Sequence, residues 1–307
     1  MEVFNLKKAL LNQVHEEGIN LIAKDEELCG PNLAILADTI LGLGEIVFSY
    51  ALSEKPSLVI LNFEDLILIR HFLNKILVAG KPILLLALYN DLPKRSPFPV
   101  PYFEMISYFH YPPAVHLWPK NLEETALLIN SGFSFAYQLM LPVAVLTPLS
   151  FFLAEYNRFP VLSLKMPKQA SNKAKKSPVI ASSYPPFKEE EIYAKIERLA
   201  KAEQFHKSSE SLIVAAGPLA QRIETYLEYN KLEIGLFRPI FLSPFPKKLL
   251  AERLGIVKRV FLLDQFIPYF VLVEKGLKKQ GTISLKRFVL PNSLSDEELI
   301  RIISGII

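Results

Sequence analysis

The polar residues best placed to do chemistry in this chain stand beside apolar runs. Glu45 is the one acidic residue in LGLGEIVFSYAL. A carboxylate drawn out of water resists ionisation and can pass a proton near neutral pH. An exposed or paired helix residue is the plainer alternative. Asn90 and Asp91 follow PILLLAL and so fall at the carboxyl end of a strand, where sites of α/β folds gather. A loop turn explains them as well. None of the five histidines (His15, His71, His110, His116 and His206) has another four residues on, so no paired-histidine zinc site is expected. His116 lies inside AVHLW, where a hydrogen-bonded core histidine is the expectation. Cys29 is the only cysteine, which excludes an internal disulfide and any all-cysteine metal or iron–sulfur site in this chain. Gly42-Leu-Gly44 lacks the third glycine and the clear preceding strand of a dinucleotide fingerprint, so close helix packing is the better reading. No phosphate-binding Gly-x-x-x-x-Gly-Lys loop and no Gly-x-Ser-x-Gly elbow is present.

The elements that would position these residues alternate. Ser57–Leu61, Pro82–Leu88, Ala114–Trp118 and Val143–Leu146 read as buried strands. Between them, Asn62 can cap a helix that Gly80 closes. Asn121 with Glu124 resembles a capping box opening a helix that Pro142 stops. A second series follows. It has strands at Ser211–Gly217, Leu232–Phe237, Arg259–Asp264 and Thr282–Lys286, with helices between and a Ser295/Glu298 capping box before the last. A helix from Phe187 places Ile192, Ile196 and Leu199 on one face. The basic, polar stretch Lys165–Ser177 and the prolines after it separate the two series. The expectation is an α/β fold of two doubly wound, mostly parallel sheets: a domain over 1–160, a linker over 161–187 and a domain over 188–307.

Composition narrows the class. Of 307 residues half are apolar and 21% charged, which excludes disordered and fibrous chains. The balance of 35 basic to 31 acidic residues gives +4, too mild to argue for nucleic acid. The N-terminus carries Glu2 and no long apolar run, so the default reading is cytoplasmic. No charge falls between Glu124 and Glu155. Asn130, Ser131, Gly132, Pro142 and Pro148 interrupt that stretch, and a buried helix running into a buried strand explains it better than a membrane span.

The stretch HLWPKNLEETALLINSGFSFAYQLMLPVAVLTPLSF, with Pro119, Asn121, Glu124, Phe133, Ala136, Leu141, Pro142 and Val143, resembles the end of the pyrimidine-binding domain of 2-oxoacid:ferredoxin oxidoreductases. SLIVAAGPLAQRIETYLE, RVFLLDQFIPYF and VLPNSLSDEELI are similar to the transketolase-C-terminal-like domain of the same family, in the same order. Within that family the chain resembles indolepyruvate ferredoxin oxidoreductase alpha subunits. The resemblance covers roughly residues 30–307 and its motifs are fold-like. It implies a subunit of a thiamine-diphosphate-dependent enzyme acting on a 2-oxoacid of indolepyruvate or pyruvate type, with coenzyme A and ferredoxin. The chain contains no Gly-Asp dipeptide, so the family's diphosphate- and magnesium-binding domain is missing, as is its iron–sulfur domain. Partner subunits would supply both, and thiamine diphosphate would be shared with a partner. No metal, nucleic-acid or membrane site is implied.

The site residues depart from the family pattern. The family uses a glutamate to protonate the cofactor's aminopyrimidine ring. Registered from Ser57–Ile60, its place falls near Ile40, and an isoleucine cannot move a proton. Glu45 matches a second family carboxylate, which leaves Asp38 and Glu45 as candidate catalytic residues and Asn90 and Asp91 as candidate cofactor ligands. The family's polar loop after the third strand is replaced by PKRSPFPVPYFE. The alternative is therefore a catalytically inactive structural or regulatory paralogue.

Overall fold

In a computed structural model the described residues are 4–24, 26–29, 35–53, 55–91, 108, 114–156, 162, 164, 202–206, 209–265, 273, 283–291 and 294–306. Most of the expected linker, the helix expected from Phe187 and PKRSPFPVPYFE lie outside them. The chain forms two compact units. The described part of the first runs to Asn90 and includes 114–117, 122–156, Leu162 and Leu164. That of the second contains Asp91, Tyr108, 118–121 and the residues from Ala202 on.

In the first unit, α1 (Leu6–Glu16) is capped by Asn5, whose side chain accepts from the Lys8 N–H, and it buries Leu6, Leu10 and Val14 at helical spacing. Then come β1 (Asn20–Ala23), β2 (Ile35–Leu36), α2 (Ile40–Leu52) and β3 (Ser57–Asn62). They are followed by α3 (Phe63–Leu68), α4 (Arg70–Val78), β4 (Ile83–Tyr89), β5 (Val115–Leu117), α5 (Leu122–Leu139) and β6 (Pro142–Pro148). Within the unit the strands lie in the order β5-β6-β4-β3-β1-β2. Every pairing among them is parallel. β4 and β6 are buried at every position, which is why they read as unbroken apolar runs.

Three local expectations change. The helix after Asn62 is two helices with a break at Ile69, and the Asn62 side chain makes no capping bond. The glycine cluster does follow a strand, but β2 has only two residues. Its packing role holds: a Cβ on Gly44 would collide with the Phe72 ring. Gly44→Ala forces that half-buried ring aside. Overpacking costs about 1–3 kcal/mol, partly offset by about 1 kcal/mol of helix propensity. A net loss of about 1 kcal/mol is expected in urea unfolding, regained when Phe72→Leu is added.

The second unit is built on β7 (Ala202–Phe205), β8 (Ser211–Val214), α6 (Gly217–Tyr229), β9 (Gly235–Pro239), α7 (Lys247–Leu254), β10 (Arg259–Asp264), β11 (Ser284–Val289) and α8 (Asp296–Ser304). The sheet order is β11-β10-β8-β9-β7, parallel except for β7 against β9. The strand expected at Leu232 begins at Gly235, because Lys231 has φ 52° and the backbone still turns there. The Ser295/Glu298 capping box is present. Ile213, Leu236 and Phe261 form a core with Ile223 and Leu227 of α6 and Leu299 and Ile303 of α8. The alternation of elements thus yields the expected α/β fold with two mainly parallel sheets.

Candidate functional site

Strand order singles out one place in the first unit. The chain leaves β1 for β2 on one side and reaches β3 on the other, so the carboxyl ends of β1 and β3 flank a topological switch point, the kind of place where open α/β sheets bind ligands. Lys24 directly follows β1, and Asn62, Glu64 and Asp65 follow or end β3. Lys24 Nζ lies 3.3 Å from Asp65 Oδ1. Asp65 is 4% exposed, and its Oδ2 is buried with no hydrogen-bond partner. A buried acceptor left unmatched costs about 1–3 kcal/mol, so it is an uncommon thing for a fold to keep. Glu64, beside it, is half-buried. Burial disfavours its charge and outweighs a hydrogen bond from its own backbone. The charge of Asp65 adds to this, and the Glu64 carboxyl titrates above its ordinary range.

The residues singled out from sequence lie elsewhere. Asp38 follows β2 and is exposed. Ile40 is the first residue of α2 and half-buried. Glu45 is exposed on α2, not buried, because that helix buries Leu43, Gly44, Val47 and Ala51 instead. Asn90 is half-buried at the carboxyl end of β4, and half-buried Asp91 follows it in the chain. Asp38 and Asn90 share one sheet edge, yet β1 and β3 intervene, which sets them on the order of 14 Å apart at 4.8 Å per strand. The fold does not bring the two together. Sequence reading missed Lys24, Glu64 and Asp65, although each directly follows a short apolar run, NLIA or SLVIL with Asn62 and Phe63.

A second polar cluster lies in the second unit. Lys120 Nζ is 3.0 Å from Glu203 Oε2 and 3.2 Å from Glu224 Oε2, and sits over the Phe205 ring. Arg238, fully buried on β9, donates through Nε to Glu203 Oε2 at 2.9 Å. Burial opposes charge on Glu203, but Arg238 and Lys120 outweigh it and hold its carboxyl below the usual range. Asn121 Nδ2 donates to Gln221 Oε1 at 3.0 Å. The same network holds Lys120 charged: burial works against it, and the two glutamates prevail. Its charges face one another, which fits a structural clasp. Glu203→Gln removes the carboxylate that the buried Arg238 guanidinium and Lys120 share. Such a break costs about 3–5 kcal/mol in a dry interior, and about 2 kcal/mol is expected where Glu203 is a third exposed. Guanidinium unfolding read at Trp118, whose indole packs in this unit, checks it.

At the switch point of the second unit, between β8 and β10, Asp264 is engaged by Arg287 Nη2 at 2.8 Å, and Gln265 Nε2 donates to Pro291 O. Among the described residues, no three His, Cys, Asp or Glu side chains are grouped to hold a metal ion, and no helix is long and apolar enough to cross a membrane.

No family model and no curated protein matches this sequence. Solved structures do share the fold. A 2-oxoglutarate:ferredoxin oxidoreductase from Magnetococcus marinus, solved with 2-oxoglutarate, coenzyme A and succinyl-CoA bound, aligns with 99% of this chain at a TM-score of 0.68 and 12% identity. A split-gene transketolase, described as an inactive β4 tetramer, aligns with 98% of this chain and 96% of its own at a TM-score of 0.60 and 12% identity. This chain spans 65% of the oxidoreductase chain it matches.

Proposed function

We propose that this chain is a subunit of a thiamine-diphosphate-dependent 2-oxoacid:ferredoxin oxidoreductase, in which it forms one side of a cofactor site that a partner completes. The observation that carries this reading is the fold likeness over 99% of the chain at a TM-score of 0.68. The chain would consist of a pyrimidine-binding-like domain over 1–160, a linker over 161–187 and a transketolase-C-terminal-like domain over 188–307. Thiamine diphosphate, when bound, supplies the carbon nucleophile and electron sink that decarboxylation of a 2-oxoacid needs. The partner would carry the diphosphate-binding domain and iron–sulfur clusters. The 2-oxoacid would be of the indolepyruvate or pyruvate type, and the complex would work in the cytoplasm.

The residues present fit one end of that cofactor. Its aminopyrimidine offers N–H groups and a ring nitrogen, and the switch point offers a buried, unmatched acceptor on Asp65 and a half-buried carboxyl on Glu64. The diphosphate end does not fit this chain, which has no Gly-Asp dipeptide. Asn90 and Asp91 remain candidate cofactor ligands and Asp38 and Glu45 candidate catalytic residues, apart from Glu64 and Asp65.

A specific observation favours a second reading, an inactive structural or regulatory paralogue. Ile40 opens α2 where the resemblance places a glutamate, and Asp38 and Glu45 on either side are exposed. Purification of the native complex separates the two. Stoichiometric thiamine diphosphate and dye reduction that depends on a 2-oxoacid are expected. A stable complex that neither holds the cofactor nor turns over any 2-oxoacid would overturn the catalytic reading and leave the paralogue.

A further inference from the structure

We propose that the outer edge of β11 takes up an extended segment of a partner protein as a further strand, a segment whose side chains alternate between acidic and apolar. The inference is independent of the function proposed above.

The backbone sets the geometry of the guest. β11 closes one side of the second sheet, and among the described residues no strand pairs with its outer side. The Ser284 N–H donates to the Lys258 carbonyl and the Leu290 N–H to the Asp264 carbonyl, so alternate residues from Ser284 on turn their backbone groups toward β10. Leu285, Arg287 and Val289 therefore turn theirs outward. That leaves a row of donors and acceptors that an extended chain matches one for one.

Side chains set its chemistry. Leu285 is 38% and Val289 66% exposed, and both stand on one face of the edge. Between them Arg287 is drawn to Asp264, with Nη2 at 2.8 Å from Oδ2, so this face offers apolar contact. Register puts Arg259 beside Ser284 and Phe261 beside Lys286, so the exposed cations Arg259 and Lys286 share the other face. A strand laid along β11 thus meets apolar surface on one side and positive charge on the other. Opposite charges facing across a strand pair stabilise it, and like charges oppose it.

The same charges argue against a second copy of this chain as the guest. Antiparallel pairing of two β11 edges about a twofold axis sets Lys286 opposite Lys286 or Arg287 opposite Arg287 in its two central registers. Lysine on an edge strand discourages such pairing. Here it still admits one kind of guest, a strand that brings carboxylates.

The test uses the full chain and a fluorescein-labelled peptide, Thr-Val-Glu-Val-Glu-Val-Thr, read by fluorescence anisotropy, with the lysine counterpart of that peptide for comparison. The acidic probe should bind at least tenfold more tightly than the basic one, and less tightly as salt is raised. Lys286→Glu, a change at an exposed position, should reverse the preference. Two N-methylated forms of the acidic probe, one blocked at its valine amides and one at its glutamate amides, separate strand addition from plain ionic attraction. One form should lose binding and the other keep it, because only alternate residues of an added strand turn their N–H groups toward β11. No binding of the acidic probe, any other pattern with the methylated forms, or a preference that Lys286→Glu leaves unchanged would overturn the inference. So would sedimentation that shows a dimer of the chain alone which Val289→Lys dissolves, a result that would assign the edge to a second copy.

Discussion

Replacing Gly217 by alanine is expected to lower the stability of the second unit by about 3 kcal/mol. Two costs add at one position. Gly217 has φ 59°, in the left-handed region, where any Cβ approaches a carbonyl and costs about 1–2 kcal/mol. A Cβ there would also collide with Nε1 and Cε2 of Trp118. That indole is 2% exposed, so it has nowhere to go, and overpacking adds about 1–3 kcal/mol. Its own backbone is fixed by a 2.9 Å bond from the Trp118 N–H to the Ile240 carbonyl. Differential scanning calorimetry of Gly217→Ala measures the sum. Trp118→Leu in the same background removes the collision and not the backbone strain, so about half the loss should return. Full recovery would assign the whole effect to packing, and no loss at all would mean that the glycine is not needed for this approach.

Acid should weaken the first unit through His116. The ring is fully buried in β5, and burial drives its pKa from 6.5 down to about 3, with a hydrogen bond to the Ala114 backbone opposing only part of that. The folded protein therefore keeps the imidazole neutral where the unfolded chain protonates it. For a depressed pKa the contribution is intact above 6.5 and is lost as pH falls toward 3. One pKa unit is worth about 1.4 kcal/mol, so the loss is about 2 kcal/mol at pH 5 and about 3 kcal/mol at pH 4. His116→Leu is isolated by its slope: its urea midpoint should fall less steeply between pH 7 and 4 than that of wild type. Parallel slopes would show that the histidine charges freely in the folded state.

Much of this fold could be read from residues buried on both sides of a sheet. SLVIL, PILLLAL and VAVL carry no competing pattern, and all three are strands. Short elements escaped. NLIA is a strand of four residues with no alternation, and its role comes from pairing with β3 across 37 positions of sequence. Helix α2 misled for a different reason. Leu41 is 70% and Leu52 41% exposed, so the face bearing Glu45 is itself apolar and the sequence does not tell which side is covered. Lys24 and Asp65 were out of reach for a third reason. They meet only because β1 and β3 are adjacent, and adjacency is a property of strand order, which local residue types do not encode. Sequence did place Asn90 at the carboxyl end of a strand and His116 in the core. It could not say which acidic residues the sheet would bury there.

The composition of the second unit bears on inheritance. Trp118, Lys120 and Asn121 belong to it, although they are encoded between a strand and a helix of the first. A recombination event that joined a new partner anywhere in 165–201 would transmit the sheet of the second unit without the indole that rests on Gly217 and without the ammonium that joins Glu203 to Glu224. Gene fusion or fission at that boundary is therefore penalised from the start.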